Sequence, residues 1–374
     1  MTDYCEGVIF WSMANSKWMI YGANGYTGEL IARRAVSRGL KPVIAGRNAD
    51  KISELAKELR LEYLVFDLSH PEEVARNIRG FRLVLHCAGP FVLTSLPMAK
   101  ACISQKVHYL DITGEIPVYE SLYSLDSQAV EAGVLILPGV GFDIVPTDCL
   151  ASSLKKTLPT SRSLELAFVG LSEVSPGTMK SALAQLPYGS EIRRDGKMIG
   201  VPHLSRSRVL QIGGRSYQVY GIPWGDVFTA YISTGIPNID VYTDIPAGQV
   251  RALRYMQPIL SLLKFSWILK GLQALVGKTI QGPGEGVRNS VKTQVWGEVK
   301  NSQGKTVTRI LECKEGYEFT VESSLAAVSK VLSGKGGKGF QTPSLAFGSE
   351  FVLEIPGSKW TTISSDASEL AKKN

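Results

Sequence analysis

Trp18-Met-Ile-Tyr-Gly-Ala-Asn-Gly-Tyr-Thr-Gly28 is a short apolar strand that runs straight into glycines at positions 22, 25 and 28. A glycine-rich turn between a strand and a helix lets backbone N–H groups approach a pyrophosphate without Cβ obstruction, with the helix N-terminus aimed at the anion. Residues 29–38 follow as a helix, closed by Gly39, the residue type expected just past a helix end. A second apolar strand, Pro42-Val-Ile-Ala45, completes a βαβ unit about 30 residues long. Glycine-rich turns also serve merely to reverse a chain. Here strand, helix and second strand all stand at the required spacing, which favours a dinucleotide site built from Gly22, Ala23, Asn24, Gly25, Tyr26, Thr27 and Gly28.

The end of the second strand selects the dinucleotide. Folds that prefer NAD place Asp or Glu there to accept hydrogen bonds from the ribose 2′-OH. This chain has Gly46-Arg47-Asn48, with Lys51 one helical turn on. Arg47 presents a fork of donors suited to a 2′-phosphate, which a carboxylate would repel. The plainer alternative is a solvated arginine that opens a helix. NADP(H) is the expected cofactor.

Bulk properties narrow the class. With 374 residues the chain is long enough for two domains, and 44% apolar with 20% charged residues is ordinary for a globular protein. The net charge of +7 suits an anionic cofactor or lipid headgroups, but no concentrated basic block points to nucleic acid. Cys5, Cys87, Cys102, Cys149 and Cys313 are odd in number and contain no C-x-x-C pair, which argues for a reducing, cytoplasmic setting. None of His70, His86, His108 and His203 makes a metal-ligand spacing with a cysteine, so no metal is expected. Residues 1–15 read as a poorly ordered extension rather than a signal peptide, and Met13 is an alternative start to Met1. No uncharged apolar run reaches the ~18 residues of a membrane span.

Strand and helix signals keep alternating after the first βαβ unit. Helices are expected over 51–59, 71–78, 97–104 and 118–132, and strands over 61–66, 81–87, 107–111 and 134–137. This rhythm implies a doubly wound parallel sheet, a Rossmann domain over 16–150. Ligands bind beyond the carboxyl ends of such strands. That edge collects 22–28, 46–47, Asp67-Leu68, Cys87-Ala-Gly-Pro-Phe91, 111–115 and 138–148. Asp67, Leu68, Cys87, Ala88, Gly89, Pro90 and Phe91 therefore join the expected cofactor contacts, with 87–91 carrying the nicotinamide half. As individual side chains, His70, His86 and Cys87 read better as packing than as catalytic groups.

Beyond about residue 150 the rhythm changes. Segments 164–170, 216–222, 227–234 and 239–243 look strand-like, and 291–299 turns through Asn301-Ser-Gln-Gly304 into 306–313. The expectation is an α+β domain over 151–357 with a mainly antiparallel sheet, for substrate or dimerisation, and a tail over 358–374. Residues 317–332 read as a helix, and the glycine-rich 334–339 as a plain loop that lacks the ending of a phosphate loop.

Several segments together resemble the saccharopine dehydrogenase-like oxidoreductases, and within them the bacterial trans-acting enoyl reductases. They are Tyr21-Gly-Ala-Asn-Gly-Tyr-Thr-Gly-Glu29, Ala45-Gly-Arg-Asn48, His86-Cys-Ala-Gly-Pro-Phe91, Tyr109-Leu-Asp-Ile-Thr-Gly-Glu115 and Pro138-Gly-Val-Gly-Phe-Asp-Ile-Val-Pro-Thr-Asp148. Ile222-Pro-Trp-Gly-Asp226, Ser233-Thr-Gly-Ile-Pro-Asn238 and Phe340-Gln-Thr-Pro-Ser344 extend the likeness into the second domain. The resemblance implies an NADP-binding Rossmann domain joined to an α+β domain. It further implies, in some relatives, reduction of a double bond on a polyketide or lipid intermediate of glycolipid synthesis, in trans to a polyketide synthase. The spacing here is G-x-x-G-x-x-G, whereas saccharopine reductases resemble a tighter G-x-G-x-x-[GA] turn, so lysine metabolism is not implied. A short-chain dehydrogenase needs Tyr four residues before Lys, and none of the fourteen tyrosines has Lys at that offset.

Enoyl reduction needs a donor for charge that builds on the thioester oxygen and a proton for the α-carbon. Asp143, Thr113 and Thr147 lie on cofactor-edge loops and are the candidates, Asp143 and Thr113 foremost, although Asp and Thr in such turns also cap helices. Two readings of different class stand side by side: a reductase of a small-molecule or carrier-bound lipid-like substrate, and a cofactor-binding, lipid-associated or scaffold protein without robust catalysis. Residues 259–276 read as one nearly apolar helix with a narrow polar stripe of Ser266, Lys270 and Gln273. Such a helix is either buried between domains or in a homodimer, or docked peripherally on a membrane with its lysines at anionic headgroups.

Overall fold

The computed structural model describes residues 16–171 and 173–364. The expected extension over 1–15 and the last ten residues of the expected tail lie outside the described residues. In chain order the elements are β1 (Trp18–Tyr21), α1 (Tyr26–Ser37), β2 (Val43–Gly46), α2 (Ala49–Leu59), β3 (Tyr63–Val65), α3 (Pro71–Ile78), β4 (Leu83–His86), α4 (Phe91–Gln105), β5 (His108–Asp111), α5 (Ile116–Tyr123), α6 (Asp126–Ala132) and β6 (Leu135–Leu137). There follow α7 (Val145–Thr157), β7 (Ser161–Val169), α8 (Pro176–Gln185), β8 (Ser190–Arg194), β9 (Lys197–Val201), β10 (Ser207–Ile212), β11 (Arg215–Gly221), α9 (Asp226–Thr234) and β12 (Asn238–Asp244). The chain continues with α10 (Ala247–Leu260), α11 (Ser266–Thr279), α12 (Glu285–Ser290), β13 (Lys292–Asn301), β14 (Thr306–Lys314), α13 (Gly316–Leu332), β15 (Gly339–Phe340), α14 (Pro343–Phe347) and β16 (Lys359–Ser364).

The chain divides into two compact units, one of residues up to Val145 plus Tyr317–Ile355, the other of Pro146–Gly316 plus Pro356 onward. The first holds a seven-stranded sheet in the order β15-β6-β5-β4-β1-β2-β3, parallel throughout. The strand order reverses between β1 and β4, the switch point where open α/β sheets bind ligands. β1, β2 and β4 are buried on both faces, which is why their sequences are unbroken apolar runs rather than alternating ones.

The Rossmann sheet expected from the sequence is present, with differences of detail. The expected 151–357 domain does not run unbroken: α13, β15 and α14 return to the first unit, where β15 adds a strand beside β6. The helix expected over 118–132 is two helices, α5 and α6, and α4 begins at Phe91 rather than at 97, with Pro97 accommodated inside it.

The second unit holds a nine-stranded sheet whose main path is β10-β11-β12-β7-β13-β14-β16, with β8 pairing β12 and β9. Its pairs are antiparallel apart from β7 with β12. α7 covers one face of β7 and β13 so closely that a Cβ on Gly297 would lie 2.9 Å from Leu150 and Leu154. The other face carries a core of Ala167, Val169, Leu210, Ile212, Val219, Tyr242, Trp296 and Ile310.

Two expectations fail here. Residues 227–234 form the helix α9, not a strand. Its β-branched composition favours a strand, but Asp226 in the first turn and left-handed Gly235 after the last are helix start and stop signals, and Val227, Ala230 and Thr234 share its buried side. The expected tail over 358–374 begins with β16, paired antiparallel to β14.

Candidate cofactor and catalytic site

The turn after β1 is held by Gly22 N–H and Ala23 N–H, both donating to Ala45 O at 2.7 and 3.2 Å. Gly22 has φ +84°, and a Cβ there would fall 2.7 Å from Ala88 N; one on Gly28 would fall 2.4 Å from Gly22 O. The protein's own packing thus requires these two glycines. Gly25 is different: a Cβ there would meet only Gly22 O at 3.3 Å. It is the N-cap residue of α1 and, as a glycine, has no side chain to cap that end, where the first N–H groups of a helix have no intrahelical acceptor. A helix start beneath a side-chain-free residue is a cradle that fits a pyrophosphate.

The N-terminus of α4, the other helix start beside the switch point, is already served. Phe91 N–H and Val92 N–H donate to the two carboxylate oxygens of Glu115 at 3.2 and 3.1 Å. The resident carboxylate leaves α1 as the better place for phosphate. Ala88, Gly89 and Pro90 form the bend before α4, with Thr94 Oγ1 donating to Ala88 O at 2.6 Å.

At the end of β2, Arg47, Asn48 and Lys51 are exposed. Asn48 Oδ1 caps α2 by accepting from Lys51 N–H at 3.0 Å, so its side chain is a structural cap while Arg47 extends into solvent. Asp67 accepts from Ser69 N–H at 2.8 Å and from Ser69 Oγ. Its carboxyl is held below the usual range first by Ser69 and then by the nearby charges of His70 and Arg47. Leu68 is half-buried beside it. Cys87 N–H donates to Tyr21 O at 2.7 Å. Burial, with Asp111 nearby, pushes its thiol up out of the reactive range. His86 is fully buried and stays neutral at physiological pH, burial taking its pKa down to about 3. It packs on Tyr21 at 5.5 Å and Phe91 at 5.6 Å.

Thr113 is fully buried. Its N–H donates to Asp111 Oδ1 at 3.0 Å, its Oγ1 accepts from Glu115 N–H at 3.1 Å, and its carbonyl accepts from Tyr119 Oη at 2.5 Å. These bonds make it a knot in the 111–115 loop, with its Oγ1 engaged by the Glu115 backbone. Thr147 is also fully buried and belongs to the second unit, in the first turn of α7.

Asp143 is the carboxyl among the catalytic candidates. It is half-buried, and burial, reinforced by the charge of Glu115, raises its carboxyl from the ordinary 3.8 to about 7. A Cβ on Gly114 would lie 2.8 Å from its Oδ2, so the glycine admits the carboxyl against the loop backbone. The loop that carries it is anchored by α13: Phe142 N–H donates to Thr320 Oγ1 at 2.9 Å, and Ser323 Oγ donates to Val140 O at 2.7 Å. Asp111 Oδ1 accepts from Gly139 N–H at 2.9 Å, which ties the ends of β5 and β6 together. Sequence reading gave Glu115 no role. A carboxylate one residue ahead of the Ile116-Pro117 helix start, beside a glycine, was the available signal.

A parallel sheet with its switch point at β1 and β4, a phosphate cradle and a basic strand end together define a dinucleotide-binding oxidoreductase fold. Residues 18–137 match the family described as Saccharopine dehydrogenase NADP binding domain. That part of the chain is similar to the NADP-binding domain of saccharopine dehydrogenases. The chain is 24% identical over 217 residues to the saccharopine dehydrogenase-like oxidoreductase of Bos taurus, covering 49% of this chain and 50% of that protein. It is 28% identical over 163 residues to the trans-acting enoyl reductase of Mycobacterium ulcerans, covering 41% and 38%. The matched part thus spans half or less of these relatives' length. Among solved structures, apo saccharopine dehydrogenase (L-Glu forming) from Saccharomyces cerevisiae superposes with a TM-score of 0.65 over 94% of this chain and 100% of that one. At 14% identity this establishes a shared two-domain fold.

Proposed function

We propose that the chain is an NADPH-dependent reductase of a carbon–carbon double bond in a lipid- or polyketide-type acyl thioester, and that it acts in trans on chains carried by a polyketide synthase. The observation that carries this reading is Asp143, a half-buried carboxyl raised to about 7 on the cofactor edge of an NADP-binding unit. The likeness to trans-acting enoyl reductases supplies the acyl class.

Gly22 to Gly28 and the start of α1 would hold the pyrophosphate, Arg47 and Lys51 the 2′-phosphate, and residues 87–91 the nicotinamide half. When bound there, NADPH would supply the hydride that the reduction needs. The chain's own task is to supply a proton for the α-carbon. Asp143 keeps that proton on its carboxyl near neutral pH because ionisation beside Glu115 and away from water is unfavourable. Glu115 is fixed at that place by Phe91 N–H and Val92 N–H, which donate to its two carboxylate oxygens. Peripheral contact with a membrane, through residues 259–276, is part of the same reading. Among the described residues no helix is long and apolar enough to cross one.

The test is NADPH consumption followed at the nicotinamide absorbance with 2-enoyl thioesters of increasing chain length, using saturated thioesters as controls. Turnover that grows with chain length is the expected result. If NADPH binds but no enoyl thioester is reduced, the reductase reading gives way to a cofactor-binding scaffold.

A further inference from the structure

The stretch 259–276 is not one helix: it is the end of α10, a 3-10 turn over Ser261–Lys264, and most of α11. The break changes which side chains face outward. In α11 Trp267, Lys270, Gly271, Ala274 and Leu275 fall at i, i+3, i+4, i+7 and i+8, the spacing of a core-facing stripe, yet all five are exposed. Trp267 is 74% exposed and Leu275 56%. The partly covered side instead meets α8, where Gln273 Nε2 donates to Lys180 O at 3.2 Å. Around this stripe Phe265, Leu262 and Tyr188 are also exposed, Tyr188 at 74%. Lys264 Nζ lies 5.7 Å from the Tyr188 ring centroid. The supporting helix α8 has no buried residue at all.

The charge on these segments has one sign. Residues 174–190 and 245–284 contain Lys180, Arg251, Arg254, Lys264, Lys270 and Lys278 and no Asp or Glu. Exposed apolar patches mark interaction sites. A second copy of the chain, pairing this face with itself, would leave these cations in need of acidic partners that neither segment supplies. An anionic bilayer satisfies both features: Trp and Tyr sit at the headgroup level, apolar side chains enter the acyl boundary, and lysines extend to lipid phosphates.

We propose that the face built by α8, the turn over Ser261–Lys264 and α11 is a docking surface for anionic phospholipid membranes. It deepens the peripheral contact named above and stands independently of the reduction chemistry. Neither the surface nor its test involves cofactor or substrate.

The experiment is co-sedimentation of the full chain with phosphatidylcholine vesicles, with and without about 30% phosphatidylglycerol. Binding to the anionic vesicles is expected to exceed that to neutral ones at least tenfold and to weaken as salt is raised. A Trp267→Glu, Leu275→Glu variant is expected to lose binding by at least tenfold, and Lys264→Glu, Lys270→Glu to lose the preference for anionic lipid, both with an unchanged far-UV circular dichroism spectrum and thermal midpoint as the check on folding. Absence of binding to anionic vesicles, or wild-type binding by the apolar-to-Glu variant, overturns the proposal. So does a solution dimer that the same variant dissociates, because the face would then be covered by a second copy.

Discussion

Arg47 stands exposed at the end of β2, where no Asp or Glu follows the strand. A charge-assisted, forked contact to a 2′-phosphate contributes roughly 1.5–3 kcal/mol. Arg47→Ala should therefore weaken NADPH binding about ten- to a hundredfold and leave NADH nearly unchanged. Equal loss for both dinucleotides, measured by fluorescence titration, would make Arg47 a structural residue. Asp143 gives a prediction with a definite sign. Its folded pKa of about 7 lies above the ordinary 3.8, so its protonated form is favoured by folding. That contribution is complete below the unfolded value and is lost as pH rises through about 7. His86 acts oppositely, since its depressed pKa removes stability as pH falls below the ordinary histidine range. The informative quantity is the difference between wild type and Asp143→Asn. The wild type should lose stability relative to the variant between about pH 4 and pH 7, and its turnover should decline above about pH 7. A pH–rate profile and urea midpoints that coincide for the two proteins would remove Asp143 from the mechanism.

Elements with local signals were legible, and elements defined by distant partners were not. β1, α1 and β2 each carry their own evidence in the sequence: an apolar run, a glycine at the turn, a glycine past the helix end. The same local logic misread 227–234, because β-branched residues there outweighed the helix signals at its two ends, and the buried helix α9 resulted. α13 was recognised as a helix, but nothing local says which unit it joins. That is decided by long-range contacts: Arg34 pairs with Glu318 at 2.7 Å and with Glu322, and Arg38 pairs with Glu322 at 2.5 Å. Tyr26 meets Tyr317 edge-on with centroids 5.0 Å apart. Glu322 has a side chain only 3% exposed while both arginines are partly solvated, so the loss on removing it is moderated by water at the cationic side. Glu322→Ala should lower the unfolding free energy of the NADP-binding unit by roughly 1.5–3 kcal/mol, read from urea unfolding with NADPH fluorescence as reporter. An unchanged midpoint would mean that α13 does not support that unit.

Across the whole chain, the cofactor domain was readable because a doubly wound sheet repeats one local unit. The exceptions are informative. The addition of β15 beside β6 is a two-residue pairing far from its partner in sequence, and such short strands leave no periodicity to detect. In the candidate site, Gly25 and Arg47 stand out by residue type, but the places of Glu115 and Thr113 depend on which backbone groups their oxygens meet. The outward stripe of α11 shows the same limit, since helical spacing reveals a face but not whether protein covers it. What unites these scales is an NADP site assembled on the edge of the first sheet, and equilibrium binding of NADPH and NADH to the full chain tests it most directly. The account predicts NADPH bound at least about tenfold more tightly than NADH. Equal affinities, or NADH bound more tightly, would contradict it.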